Sequence, residues 1–295
     1  MALYVVATPI GNLGDMSPRA VETLKSVSLI AAEDTRVTMK LTAHFDIHTP
    51  LISCHQHNER SRAEQIVRRM LDENIDVALV TDAGTPAISD PGTALTGLCV
   101  EKGIPVYAVP GPTAMAAAVS VSGFDVTEFT FFGFLPREKK ALRDKLGSMR
   151  GLQAAVIHES PFRMIALMEA IAETLSEALV SASCDLTKLH ELTVRGTPGE
   201  VLDALRRNEK SDRGEYCVVL DLRAALKKED APREKLSAEL CVLRYMMDGK
   251  DLREARECAV RDGCRKNEVY QAALRVLKRF GQDADEPDPS DEASH

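Results

Sequence analysis

The segment at residues 77–92 constrains the fold of this chain most strongly. Four apolar residues, 77–80, have the composition of a buried parallel strand, and the small-residue loop TDAGTPAISDPG follows them. A helical pattern begins after Pro91, so the segment predicts a strand, a loop and a helix in succession. In open α/β sheets, ligands bind beyond the carboxyl ends of strands, where small residues let a ligand approach the backbone. The loop is therefore a candidate ligand site, and an ordinary strand-to-helix connection is the alternative.

Similar strand patterns occur four more times in the first 122 residues, and small or polar loops follow them. These apolar strands are predicted at residues 3–7, 29–32, 51–54 and 105–109. Five successive units of this kind predict one doubly wound parallel sheet. The first loop, TPIGNLGD, has neither a G-x-G-x-x-G fingerprint nor the lysine of a P-loop, which argues against a Rossmann dinucleotide site and against an ATPase.

The pattern changes after Gly123, where strands outnumber helices and the helices are unevenly spaced. Half of the eight phenylalanines fall in the predicted strand at 129–134. This arrangement predicts a second, mixed α/β domain. Three amphipathic helical patterns follow a charged linker, and a glycine-containing turn separates the last two, as in a helix-turn-helix or an ordinary helical hairpin. We predict domains at 1–122 and 123–225, a helical module at 233–281, and a disordered acidic tail at 282–295.

Composition restricts the class of protein. The 295 residues are 44% hydrophobic and 28% charged, as in ordinary globular proteins, and no stretch resembles a signal peptide or a membrane span. The seven cysteines are scattered, odd in number and without a C-x-x-C pair, so we expect reduced thiols in a cytoplasmic protein and no metal site. His55 and His57 lack a third ligand nearby, which favours hydrogen bonding or an RNA contact.

Charge is unevenly distributed along the chain. The net charge is −8, yet the tail at 282–295 contains six acidic residues and no lysine or arginine. Residues 233–281 contain twelve basic and eight acidic residues. A basic module before an acidic tail is compatible with an RNA partner, and a solvated helical surface is the alternative.

Six blocks of sequence, in order, closely resemble one family, the 16S rRNA (cytidine-2′-O)-methyltransferases of the tetrapyrrole methylase superfamily. The blocks are LYVVATPIGNL at 3–13, AAEDTR at 31–36, HQHNE at 55–59, TDAGTP at 81–86, PGP at 110–112 and GFLP at 133–136. The resemblance covers about residues 3–280. It implies two α/β domains with S-adenosylmethionine bound between them, a homodimer, and 16S rRNA of the small ribosomal subunit as partner.

The resemblance also implies which residues contact the cofactor. The superfamily's contacts match Pro9, Asp82, Thr85, Thr113, Ala114 and Leu186, many of them through the backbone. We add Gly84 because it lies in the same loop and has no side chain to obstruct a ligand. One family segment, Arg-Glu-Leu-Thr-Lys, is Cys184-Asp185-Leu186-Thr187-Lys188 here, and the frequent Tyr-Glu-Ser is His158-Glu159-Ser160.

Methyl transfer to a ribose 2′-hydroxyl needs alignment, exclusion of water and removal of one proton. Polar residues that follow predicted strands or begin helices are the candidates for this chemistry: Glu33, Asp34, Arg36, Asn58, Glu159 and Lys188. A carboxylate could accept the proton, or Lys188 could do so if burial lowers its pKa. For residues 33–36, a local salt bridge with a helix cap is the alternative.

Two other functions stay open from the sequence. A tetrapyrrole or small-molecule methyltransferase would share the fold, although a basic helical module has no evident use there. A ribosome-associated RNA-binding protein without catalysis would be consistent with Cys184 in place of the family's arginine.

Overall fold

The protein is described here from a computed structural model, which covers residues 1–56, 58–224 and 237–280. His57, part of the predicted histidine pair, and the predicted tail at 282–295 lie outside the described residues. The chain divides into two compact units, residues 1–229 and residues 230–295. The first unit contains two β-sheets and their helices.

The strands are β1 Leu3–Val6, β2 Leu29–Ala32, β3 Leu51–Ser53, β4 Val77–Val80, β5 Val106–Val109, β6 Thr130–Phe134, β7 Ala154–Glu159, β8 Leu179–Cys184, β9 Leu192–Gly196 and β10 Tyr216–Asp221. Among the described residues of the first unit, the α-helices are α1 Pro18–Ser26, α2 Thr35–His44, α3 Glu59–Glu73, α4 Thr93–Glu101, α5 Ala114–Val121, α6 Lys139–Gly147, α7 Pro161–Thr174 and α8 Pro198–Arg207. The helices of the second unit are α9 Ala238–Met247, α10 Leu252–Arg261 and α11 Lys266–Phe280.

The first sheet is entirely parallel, in the order β3-β2-β4-β1-β5. Its two faces are both covered. Leu95 of α4 and Met70 of α3 pack on one face, and Leu24 of α1 packs on the other. This arrangement explains why the strands are continuously apolar. Because β4, β1 and β5 are neighbours, the loops that follow them lie side by side at the carboxyl edge of the sheet.

The second sheet is mixed, in the order β6-β7-β10-β8-β9, with only β6 and β7 parallel. One face packs against α6, α7 and α8 through a core that includes Leu146, Leu167 and Leu205. The parallel sheet and the mixed sheet, together with the helical second unit, confirm the predicted fold class.

Helix α5 joins the two sheets. It follows β5 of the first sheet, and its Ala118 packs against Val156 and Val219 of the second sheet. Arg195 of β9 donates a hydrogen bond from Nε to Ser122 O at 3.0 Å, just beyond the carboxyl end of α5, where a cation is favoured by the helix dipole. The α5 interface thus sets the spacing between the sheets.

The second unit has a small core of its own. Cys241 and Val242 of α9 pack with Ala255 and Ala259 of α10 and with Val269 of α11. Asp251 caps α10, because its carboxylate accepts a hydrogen bond from Glu254 N at 2.8 Å. Across the described residues of the whole chain, no helix is both long enough and apolar enough to cross a lipid bilayer.

Candidate active site

Three loops of the first sheet are tied together at its carboxyl edge. Thr8 and Gly84 exchange two backbone hydrogen bonds of 2.9 and 3.1 Å, which joins the loop after β1 to the loop after β4. The hydroxyl of Thr85 donates to Pro112 O at 3.3 Å, which joins the loop after β5. Gly84 has φ of +89°, a conformation that favours glycine. The loops therefore form one surface, as expected for adjacent parallel strands.

A cavity of about 350 Å³ lies between this surface and the second sheet. The residues from the first sheet and α5 are Ile10, Ala83, Gly84, Thr85, Ile88, Ser89, Asp90, Thr113, Ala114 and Met115. The other wall comprises Phe131, Phe134, His158, Glu159, Ser160, Pro161, Leu186, Glu215, Tyr216 and Cys217. A volume of this size is within the range of small-molecule sites.

Five of the seven predicted cofactor residues line this cavity: Gly84, Thr85, Thr113, Ala114 and Leu186. The other two, Pro9 and Asp82, line an adjoining cavity of about 310 Å³. The two cavities share Ile10, Ala83 and Glu215. The predicted set is therefore brought together at one place, distributed over two adjoining cavities.

The predicted catalytic acid Glu33 is held by the loop after β4. Its Oε2 accepts hydrogen bonds from Thr81 Oγ1 at 2.5 Å and from Asp82 N at 3.3 Å. Asp82 Oδ1 in turn accepts from Asp34 N at 3.1 Å. These bonds join the carboxyl ends of β2 and β4, so Glu33 organises the loops directly.

The neighbouring pair Asp34 and Arg36 has the arrangement of a salt bridge with a helix cap. Asp34 Oδ1 accepts from Arg36 N at 2.8 Å at the start of α2, and the Arg36 guanidinium lies 2.6 Å from Asp34 Oδ2. The hydrogen bonds from Arg36 lower the pKa of Asp34 to about 2, which makes it a poor proton acceptor. The Arg36 side chain is 83% exposed.

Lys188 lies over the first loop and is paired with two carboxylates. Its Nζ is 2.7 Å from Asp185 Oδ1 and 3.0 Å from Glu215 Oε2, and a Cβ at Gly11 would come within 2.5 Å of its side chain. Burial acts to lower the pKa of Lys188, but the hydrogen bonds to Asp185 and Glu215 outweigh it and the pKa is raised. The condition under which Lys188 could accept the proton, a pKa lowered by burial, is therefore not met, because its carboxylate partners favour the charged form.

The two remaining candidates already have local partners. Asn58 Oδ1 accepts from His55 N at 2.9 Å and shapes the turn before α3. Glu159 is 2% exposed, accepts from Ser160 N at 2.8 Å and pairs with Arg163 at 3.2 Å. Glu159 lines the cavity of about 350 Å³, called the main cavity below, whereas Asn58 lines neither this cavity nor the adjoining one.

The sequence-based candidates did not include Asp90 or His158, which both line the main cavity. Burial, together with the nearby Glu33 and Asp82 carboxylates, raises the pKa of Asp90 to about 6. Burial and Glu33 also raise the pKa of Asp82. Two features of the sequence could have pointed to these residues: Asp90 belongs to the loop that the sequence indicated as a ligand site, and His158 departs from the family pattern.

Among the described residues, no group of three His, Cys, Asp or Glu side chains has the arrangement of a metal site.

Comparison with known proteins identifies the family. The family described as Tetrapyrrole (Corrin/Porphyrin) Methylases matches residues 2–202. Ribosomal RNA small subunit methyltransferase I of a Synechocystis species is 41% identical over 93% of this chain and 98% of the relative. The protein of the same name from Bacillus subtilis is 40% identical over 92% of this chain and 93% of the relative.

Solved structures agree on the fold. A diphthine synthase superposes with a TM-score of 0.59 at 11% identity, covering 78% of this chain and 96% of that chain. The uroporphyrin-III C-methyltransferase of Thermus thermophilus, in complex with S-adenosylhomocysteine, superposes with a TM-score of 0.53 at 14% identity, covering 77% of this chain and 100% of that chain.

Proposed function

This chain belongs to the tetrapyrrole methylases and, within them, to the ribosomal RNA small subunit methyltransferase I family, and we propose that it transfers a methyl group from S-adenosylmethionine to the 2′-hydroxyl of a cytidine in the decoding region of 16S rRNA. The observation that carries the proposal is the cavity of about 350 Å³ between the two sheets, with five predicted cofactor residues on its wall. We propose that the protein acts in the cytoplasm as a homodimer.

The residues present fit S-adenosylmethionine. Small residues such as Ala83, Gly84 and Ala114 leave backbone groups accessible to a ligand, and Leu186 supplies an apolar contact on the opposite wall. The carboxylates of Asp82 and Asp90 create a negative potential beside the cavity, which favours a positively charged ligand. When bound, this cofactor supplies an activated methyl group on a sulfonium.

The adjoining cavity suits the acceptor nucleotide. Lys40 and Lys188 line it, and both carry positive charge that can bind an RNA phosphate. Because the pKa of Lys188 is raised, its role is that of a cation that orients the acceptor and stabilises negative charge on it. The main and adjoining cavities share Ile10, Ala83 and Glu215, so an acceptor ribose in the adjoining cavity would lie next to the methyl group of a cofactor in the main cavity.

One proton must leave the 2′-hydroxyl as the new O–C bond forms. We assign this proton to Asp90, which lines the main cavity and interacts electrostatically with Asp82 of the adjoining cavity, and whose pKa of about 6 makes it a stronger base than an ordinary aspartate. Asp34 is a weaker base because Arg36 lowers its pKa, and Glu159 is engaged by Arg163.

The second unit supplies positively charged side chains for RNA. Arg253 and Arg265 are almost fully exposed, and Arg261 and Lys266 are exposed near the turn between α10 and α11. Contacts from such groups to phosphates would add sequence-independent, salt-sensitive affinity for the ribosomal subunit. The excess of basic over acidic residues at 233–281 favours RNA over the alternative of a tetrapyrrole or other small acceptor.

The test is in vitro methylation of small ribosomal subunits that lack the modification, using purified protein and labelled S-adenosylmethionine. We expect one 2′-O-methylcytidine per subunit, identified by nuclease digestion and mass spectrometry. Cofactor binding without transfer to subunits would instead favour a small-molecule acceptor. A protein that binds subunits and not the cofactor would be the non-catalytic RNA-binding alternative.

A further inference from the structure

His158 is held between two aromatic rings on the wall of the main cavity. It lies near the end of β7, opposite Cys217 of β10. The Phe131 ring is edge-on to the imidazole at a centroid distance of 5.0 Å, and the Phe134 ring is edge-on at 5.9 Å. This packing fixes the imidazole plane on the apolar side of the cavity.

The Nε2 atom of His158 is buried and has no hydrogen-bond partner among the described residues. Buried polar atoms in native proteins are almost always paired, and an unpaired one destabilises the fold. Burial lowers the pKa of His158, although the nearby Glu215 carboxylate opposes the shift. The lowered pKa favours the neutral imidazole, and its Nε2 is a buried polar atom that lacks a partner among the described residues.

We propose that His158 recognises the adenine of the cofactor through a hydrogen bond at Nε2, an inference that depends on the proposed use of S-adenosylmethionine. Adenine offers both donors and acceptors at its edge, so either tautomer of a neutral imidazole can pair with it. Because Nε2 is buried, the base would reach it by displacing a neighbouring group, and Phe134, 62% exposed, is the more exposed of the two rings.

The distribution of polar groups decides which half of the cofactor meets His158. Phe131, Leu186 and Cys217 give the wall near His158 an apolar and aromatic surface that suits a flat heteroaromatic base, with Glu215 as a charged group nearby. The charged amino-acid half needs polar partners, and the first-sheet loops supply them through backbone groups and the Thr85 and Thr113 hydroxyls. A neutral side chain on the adenine side also avoids repulsion of the sulfonium charge.

The experiment measures binding of S-adenosylhomocysteine and of methylthioadenosine, which lacks the amino-acid half, to the full-length protein by calorimetry. His158→Phe keeps the ring and removes the hydrogen-bonding atom, and we expect roughly three- to tenfold weaker binding of both ligands. His158→Gln, whose amide can reach the Nε2 position, should recover most of the affinity. His48→Phe is the matched control, because His48 is exposed, pairs with Asp46 and lies outside both cavities.

Melting of the ligand-free protein separates recognition from a structural role. His158→Phe should melt at or above the wild-type temperature, because it removes an unpaired buried atom. Unchanged binding of both ligands, weaker binding of S-adenosylhomocysteine alone, or a lower melting temperature would each overturn the proposal. If the wild-type protein bound neither ligand, the cofactor assignment would fail as well. Normal ligand binding without RNA methylation would overturn the proposed function alone.

Discussion

Glu59 caps helix α4 from a different helix: its Oε1 accepts a hydrogen bond from Ala94 N at 2.8 Å, and a second one, also of 2.8 Å, from Gly92 N. The residue before α4 is a glycine and has no capping side chain. The Glu59 carboxylate, from α3, therefore supplies the N-cap hydrogen-bond acceptor that Gly92 lacks. It also complements the positive end of the α4 helix dipole. This contact fixes the end of the loop that contains Asp82, Gly84 and Asp90.

Replacing Glu59 by alanine should destabilise the fold and loosen this loop. By analogy with the loss of an N-cap, we expect a decrease of about 1–2 kcal/mol in the free energy of unfolding. Urea unfolding checks the value, and Glu64→Ala, at an exposed position of the same helix, is the control. Equal stability of the two variants would contradict the capping role.

Replacing Gly84 by valine should abolish cofactor binding. A Cβ there would be 3.4 Å from Ile10 Cγ2, and φ of +89° is strained for a β-branched residue, so we also expect a stability loss of roughly 1–3 kcal/mol. Calorimetry with S-adenosylhomocysteine measures the effect. Gly97→Ala in α4 is the control, because a Cβ there meets nothing within 4 Å. Unchanged affinity in a folded Gly84→Val protein would mean that the cofactor site is elsewhere.

Replacing Lys188 by methionine should slow methyl transfer far more than it weakens cofactor binding. Methionine keeps the apolar stem over Gly11 and removes the charge that Asp185 and Glu215 stabilise. We expect a loss of roughly 10²–10³ in rate, the range for removing an electrostatic stabiliser. Single-turnover transfer to subunits is the measurement, with Lys102→Met as the surface control. A rate within a few-fold of wild type would remove Lys188 from the mechanism.

The proton-acceptor role of Asp90 predicts a pH dependence of transfer. With a pKa of about 6, the wild-type rate should rise as the pH increases through about 6 and then level off, because the ionised carboxylate accepts the proton. Asp90→Asn should abolish this rise with pH and decrease the transfer rate by roughly 10²–10⁴-fold. A retained pH profile in the variant would assign the proton to another group.

The contribution of Asp90 to the free energy of unfolding should decrease as the pH rises, whereas its contribution to the transfer rate increases. Its pKa is higher in the fold than the ordinary 3.8, so the folded protein binds the proton more tightly and this contribution is lost as the pH rises from about 3.8 through about 6. Asp90→Asn should therefore stabilise the protein at pH 7.5, by on the order of 1 kcal/mol after allowing for solvent screening, and much less at pH 4. Urea unfolding at the two pH values tests the sign.

Reversing charge near the turn between α10 and α11 should weaken subunit binding. Arg261→Glu with Lys266→Glu removes two exposed cations, and the slope of log affinity against log salt should become shallower by roughly 0.7 for each RNA phosphate that is no longer neutralised. S-adenosylhomocysteine affinity should not change. Arg207→Glu with Lys210→Glu, on the surface of the first unit, is the matched control; an equal decrease in affinity for both pairs would indicate only non-specific attraction.

The sequence by itself determined the elements and their order. The apolar run at Val77–Val80 formed the predicted strand, and the small-residue loop after β4 lies at the predicted edge of the sheet. Ser17, an N-capping residue type, and Pro18, which favours the first helical turn, stand at the start of α1. These features depend on residues that are close together in the chain, so local periodicity and capping chemistry suffice to predict them.

The tertiary structure alone decided which side chains share a site and in which charge state. Asp90 and His158 line one cavity because α5 packs the two sheets against each other. Lys188 stays charged because Glu215, from a different part of the chain, pairs with it. Burial and charge pairing depend on distances between residues far apart in sequence, and those distances exist only once the two sheets have packed together.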